Sequence, residues 1–279
     1  MENQLNNAAS ITLSAQIPWV EVGTYIILAF ALLWVPFFLA RAAKKNDAGS
    51  THWDTALSVL GPFSPLLAAV LVRAVFAREG FADAGLGIAH VASRWWLLAL
   101  ALPFFWNGVQ DILAARRGFM IVDWQSMLRK SYLIPLNLFG AVPIFLGEEF
   151  GWRSYLLQKL IPLGRWEALL ISGIIWALWH APLVFLPDTI YSKRQDIPGA
   201  FLGSCIFVLF GFIFGWVYLE SGSVWPVVLM HSYNNQIGLK LFSKETELKP
   251  THRQQTQMAF FPVLLVWTAI LLAGGFSGL

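Results

Sequence analysis

Hydrophobic residues in this chain come in long continuous runs instead of alternating with polar ones. Eight such runs, at 18–40, 55–76, 95–114, 132–150, 166–187, 199–219, 223–242 and 258–276, are separated by short polar stretches. About 20 residues of α-helix rise about 30 Å, the hydrocarbon thickness of a bilayer, so each run is a predicted membrane-spanning helix. A helix satisfies its own backbone in lipid, and the lack of period-two alternation argues against an outer-membrane barrel. The pattern predicts an all-α membrane protein of about eight transmembrane helices forming one domain over 1–279. The connections near 41–54 and 243–257 read as ordinary loops, and no internal repeat is visible.

Composition agrees: 57% of the side chains are hydrophobic and 13% charged, with 14 Trp. The opening stretch MENQLNNAAS is polar and leads into an apolar run too long for a signal-peptide core, so no cleaved signal is expected. The one cysteine, Cys205, lies inside the sixth run; it permits no disulfide within the chain and reads as a small apolar filler. The net charge of +3 is modest, and the bases flank the spans, which excludes nucleic acid as an expected partner. Arg41, Lys44, Lys45, Arg116, Arg117, Arg129, Lys130, Lys193, Arg194, Lys240, Lys244, Lys249 and Arg253 all fall on one side, 13 of the 19 bases. That side is predicted to be cytoplasmic, with both termini outside; Arg78, Arg153 and Arg165 on the opposite side weaken the asymmetry.

Against this background the charges of GEEFGWR, residues 147–153, stand out. An ionisable group at membrane depth is opposed by about 2.5–3.5 kcal/mol and needs a partner or a purpose. Glu149 and Arg153 are one helical turn apart in acid-then-base order, which suits an intrahelical pair, while Glu148 points about 100° away and is left to face a cavity. The plainer alternative is a surface pair at a wet helix end. Two further intrusions occur in SGIIWALWHAPLVFL, with His180 one turn after Trp176, and in SVWPVVLMHSYNNQIG, with His231 and Asn235 one turn apart. A lone histidine on an apolar helix is commonly a packed, hydrogen-bonded residue. Three polar intrusions on neighbouring spans instead suggest that Glu148, His180, His231 and Asn235 converge on a water-filled intramembrane cavity. That set holds the parts of a hydrolase: a carboxylate base, an imidazole and oxyanion donors. A different class uses the same residues, with His180 and His231 ligating haem, binding quinone or relaying protons.

The ordered motifs resemble the CPBP family of intramembrane proteases, which includes the CAAX prenyl endoproteases and the bacterial abortive-infection proteins. The family pattern is E-E-x-x-x-R, F-x-x-x-H and H-x-x-x-N or H-x-x-x-D. EEFGWR fits the first and HSYNN the third, while WALWH carries Trp176 where the family usually has Phe. FADAGLG, before the third span, also looks like the family's approach to its core, so the motif-bearing resemblance runs from about 79 to 243. The resemblance implies a CAAX-protease-like endopeptidase in which Glu148 activates water with help from His180. His231 and Asn235 would stabilise the oxyanion, and Glu149, Arg153 and Trp176 would support the site. Its substrate would be a peptide or protein at the bilayer, lipid-modified or not, in the plasma membrane of a prokaryote. No cofactor is favoured; if a metal is used, zinc on Glu148, His180 and His231 is the expected set, although there is no H-E-x-x-H. Gly151 and the IPLG turn at 161–164 read either as a hinge beside the site or as close packing.

Overall fold

The computed structural model describes residues 16–45, 52–123, 125, 128, 132–189, 196–237 and 243–276. Its helices are α1 (Trp19–Lys45), α2 (His52–Leu71, prolonged by a wider turn at Val72–Ala77), α3 (Ser93–Arg116), α4 (Leu133–Glu149), α5 (Arg165–Trp179), α6 (Ala181–Phe185), α7 (Ile197–Ser221), α8 (Trp225–Ile237) and α9 (His252–Leu272). The chain is an all-α membrane protein. Five of these helices are long and apolar enough to cross a bilayer: Trp19–Lys44, Leu60–Ala77, Ser93–Arg116, Ile197–Ser221 and His252–Leu272. Outward-facing Phe104, Phe139, Phe201 and Phe261 are exposed to at least 60%, as suits a surface meeting hydrocarbon.

The other three predicted runs, 132–150, 166–187 and 223–242, hold every motif residue except Arg153, and their main helices are shorter: 17 residues in α4, 15 in α5 and 13 in α8. α4 opens at Phe150 into an i→i+5 turn that lasts to Leu157, and all eight of its residues are buried; such turns recur at functional sites. α5 ends at Trp179 because Pro182, two residues past His180, lacks the N–H that would continue the ladder. His180 therefore stands at a helix break, not in the middle of a helix as its apolar flanks predicted.

α8 packs between α3 and α4, α7 between α5 and α9, and α2 between α1 and α4. α1 is drawn in by hydrogen bonds as well as packing: Trp34 Nε1 donates to the Trp179 carbonyl at 3.0 Å, and Trp179 Nε1 donates to the Ala29 carbonyl at 3.2 Å. The first of these bonds satisfies a carbonyl that the end of α5 would otherwise orphan.

The segment carrying FADAGLG ties the end of α2 to the wide turn after α4 and to the start of α8. Arg73, 1% exposed, donates to Asp83 at 2.8 and 3.1 Å and to the Gly80 and Ser154 carbonyls. Hydrogen bonding from Arg73 holds the Asp83 carboxyl below its ordinary value. Ser223 Oγ and Trp225 Nε1 then donate to the Gly87 and Leu86 carbonyls, fixing the start of α8.

Two details depart from the helical pattern. A short antiparallel ribbon pairs β1 (Met120–Val122) with β2 (Ser243–Glu245), Met120 opposite Glu245. α9 begins at His252, six residues before the predicted 258, because Thr251 and Gln254 form a reciprocal capping box. Hydropathy cannot see a helix start written in polar residues.

Gly151 resolves as close packing: a Cβ there would sit 2.6 Å from the Pro65 carbonyl oxygen, inside van der Waals contact with fixed backbone. Gly151→Ala is therefore expected to lower the melting temperature in detergent, by an overpacking penalty of about 1–3 kcal/mol. An unchanged melting curve would mean that the wide turn can move off Pro65.

Candidate functional site

Glu149 lies at the last position of α4 and is fully buried. Its Oε2 is 3.0 Å from Arg153 Nε, the one-turn pair that the sequence predicts, and both side chains are 0% exposed. The same carboxylate reaches a partner that the sequence does not announce: Oε1 is 2.7 Å from His231 Nδ1 on α8. One buried anion thus faces two groups able to carry positive charge. Arg153 Nη1 and Nη2 meet no hydrogen-bond acceptor among the described residues. Its guanidinium lies instead 4.9 Å from the centre of the Trp176 ring and 5.7 Å from that of Phe214, where cation–π attraction replaces part of the lost hydration.

Glu148, next along α4, turns to a different surface. Its Oε2 accepts a long hydrogen bond, 3.4 Å, from Trp176 Nε1. Trp176 therefore does something that the phenylalanine usual at its motif position could not. It also stands edge-on to His180 and His231, with ring centres 5.2 and 5.6 Å apart.

His180, at the break after α5, is 5% exposed. Its Nδ1 lies 3.0 Å from the Trp176 carbonyl, which can only accept, so Nδ1 carries the proton and in the neutral ring Nε2 is an acceptor. The ring is stacked on Phe207, with centres 4.0 Å apart and planes 14° apart. His231 is held in the same sense by Glu149. Its Nε2 is an acceptor in the neutral ring and a donor only in the imidazolium, for which Glu149 supplies the counter-charge.

A cavity of about 200 Å³ is lined by Glu148, His180, His231 and Asn235 together, with Trp176 in its wall. Glu149 and Arg153 do not line it and lie behind. The separation of the two glutamates that helical geometry predicts is therefore the one observed. Asn234, His252, Thr256 and Phe207 are among the lining residues that went unread in the sequence. Asn234 was passed over beside its neighbour in HSYNN. His252 and Thr256, on the first turns of α9, were hidden by the late helix start, although the T-x-x-Q capping signature at 251–254 marks it. Phe207 reaches the site through the packing of α7 on α5, which left no signal in the sequence.

In both imidazoles Nδ1 is engaged by an acceptor, as one ring nitrogen commonly is in metal-ligating histidines. Among the described residues, however, no three His, Cys, Asp or Glu side chains are grouped closely enough to hold a metal ion as they stand.

Residues 130–237 match the family model described as Rce1-like, type II CAAX prenyl endopeptidase. A stretch of 43 residues is 40% identical to the CAAX prenyl protease 2 of Methanococcus maripaludis, covering 15% of this chain and 16% of that protein. The match to this curated relative is thus confined to a small part of either chain.

Glu149→Gln leaves Arg153 buried without its counter-charge and weakens the hold on His231. Breaking a buried pair costs about 3–5 kcal/mol, so yield and melting temperature should both fall. A variant as stable as the wild type would show that water reaches Arg153.

Proposed function

We propose that this chain, whose residues 130–237 match the Rce1-like family model, is an intramembrane endopeptidase of CAAX-protease type. The observation carrying this reading is the single cavity lined by Glu148, His180, His231 and Asn235, residues from three separate motifs. Glu148 removes a proton from a water molecule in the cavity, and the resulting hydroxide adds to the carbonyl carbon of the scissile peptide bond. Negative charge moves to the carbonyl oxygen, where Asn235 Nδ2 and the His231 imidazolium donate to it. Collapse of the tetrahedral intermediate breaks the C–N bond. The proton held at Glu148 goes to the leaving amine, and the acyl fragment forms as a carboxylic acid whose own proton then passes to the free amine, leaving a carboxylate and an ammonium. His180 accepts at Nε2 and shares the proton in transit. A site walled by Trp176 and phenylalanines has a low local dielectric, which strengthens each of these interactions.

The substrate in this reading is a peptide or protein at the membrane, its cleaved segment lying against Phe207 and Phe210 in the cavity wall. The whole chain acts as one membrane domain with its motif-bearing core at about 79–243, in the plasma membrane of a prokaryote. No step is routed through a metal.

Two experiments test this. In lipid vesicles, wild-type protein should cleave a fluorogenic peptide, offered with a prenylated C-terminal tail or as its unmodified twin. Glu148→Gln should lower that rate by about 10²–10⁴, the usual share of a general base, while remaining folded. Wild-type turnover by this variant would remove Glu148 from its role. Strong chelation should leave cleavage largely intact; loss of activity that returns with zinc would overturn the metal-free mechanism.

A further inference from the structure

The proposed oxyanion donor is a carboxamide, and a carboxamide is useful there only if its nitrogen, not its oxygen, faces the substrate. The two ends have nearly the same shape, so packing alone discriminates them poorly. Hydrogen-bond chemistry does discriminate, and a chain of it begins outside the cavity.

Trp106, on α3, is 2% exposed, and its Nε1 lies 2.6 Å from the side chain of Asn234. An indole N–H can only donate, so the atom of Asn234 that it meets is Oδ1. Asn107 agrees: its Nδ2 donates to the Pro103 carbonyl at 2.9 Å and, at 3.4 Å, to the same Oδ1. With its oxygen occupied on the α3 side, Asn234 presents Nδ2 to Asn235 at 2.9 Å. That nitrogen can only donate, so the atom receiving it is Asn235 Oδ1. The end of Asn235 left for the cavity is Nδ2, a donor. Each link admits one polarity, and reversing any of them would set donor against donor or acceptor against acceptor.

We propose that Trp106 is a positioning residue: through Asn234 it fixes which end of the Asn235 amide faces the cavity. The inference rests on the reading of Asn235 as an oxyanion donor. α8 packs against α3 along this contact, so a residue 128 positions away in sequence sets the polarity of the site.

The test uses the full chain in lipid vesicles and the peptide that wild type cleaves. Trp106→Phe keeps an aromatic ring and removes the N–H; kcat should fall about fivefold to tenfold, the worth of about one hydrogen bond, with KM unchanged. Asn234→Asp still accepts from Trp106 but has no donor for Asn235, and it should lower kcat in the same way. Asn235→Ala should lower kcat by about 10²–10³, and Trp106→Phe added to it should bring no further loss. A residue that merely fills space would lower kcat equally in both backgrounds, and that result overturns the proposal, as does wild-type kcat in Trp106→Phe. Wild-type kcat in Asn235→Ala would instead remove the oxyanion reading itself. A second measurement is independent of turnover. Melting-temperature losses of Trp106→Phe and Asn234→Ala should be clearly less than additive when combined, because both delete the same bond; strict additivity overturns the link.

Discussion

The Glu149 carboxylate, fully buried and shared between Arg153 on its own helix and His231 on α8, is the interaction on which the rest of the site depends. A charge at membrane depth persists only where partners are fixed around it. The contact of Glu149 Oε1 with His231 ties α4 to α8, while Oε2 faces Arg153, whose guanidinium lies in turn against Trp176 and Phe214. Trp176 and Phe214 thus serve twice, lining the cavity and facing the buried guanidinium. Glu148 is left as the carboxylate turned to the cavity, because its neighbour is fully engaged elsewhere.

That buried charge sits where regular helix gives way. α4 widens just after Glu149, and α5 stops just before His180, so two of the three motif-bearing segments are irregular at the site. In lipid, irregular backbone survives only where other groups take up its polar atoms. Here Trp34 takes the Trp179 carbonyl, and the His180 ring takes the Trp176 carbonyl. Arg73 reaches the Ser154 carbonyl within the wide turn and grips Asp83 on the approach segment. α1 and the FADAGLG segment, both distant in sequence from the chemistry, are therefore part of its support.

The same logic of one-way donors runs through the polar contacts. Nδ1 of His180 is committed by a carbonyl, Nδ1 of His231 by a carboxylate, and the Asn234 amide by an indole. In each case a group that can only accept or only donate removes an ambiguity from a side chain that could otherwise turn either way. The site is pre-organised by chemistry as much as by shape.

The sequence by itself determined the membrane character, the helical class and the motif residues that gather at the cavity. Hydrocarbon thickness writes itself as run length, and charges inside such runs are too costly to be incidental. One helical turn also sufficed to pair Glu149 with Arg153 and to turn Glu148 away, since both follow from local geometry. The tertiary structure decided what local geometry cannot carry. His231 meets Glu149 across 82 residues and Trp106 meets Asn234 across 128, contacts that no periodicity encodes. His252 joins the cavity because a capping box starts α9 early, and Phe207 joins it because α7 packs on α5. Hydropathy measures how each segment partitions into lipid; it holds no information about which helix lies beside which, and that choice placed every partner of the motif residues beyond one turn.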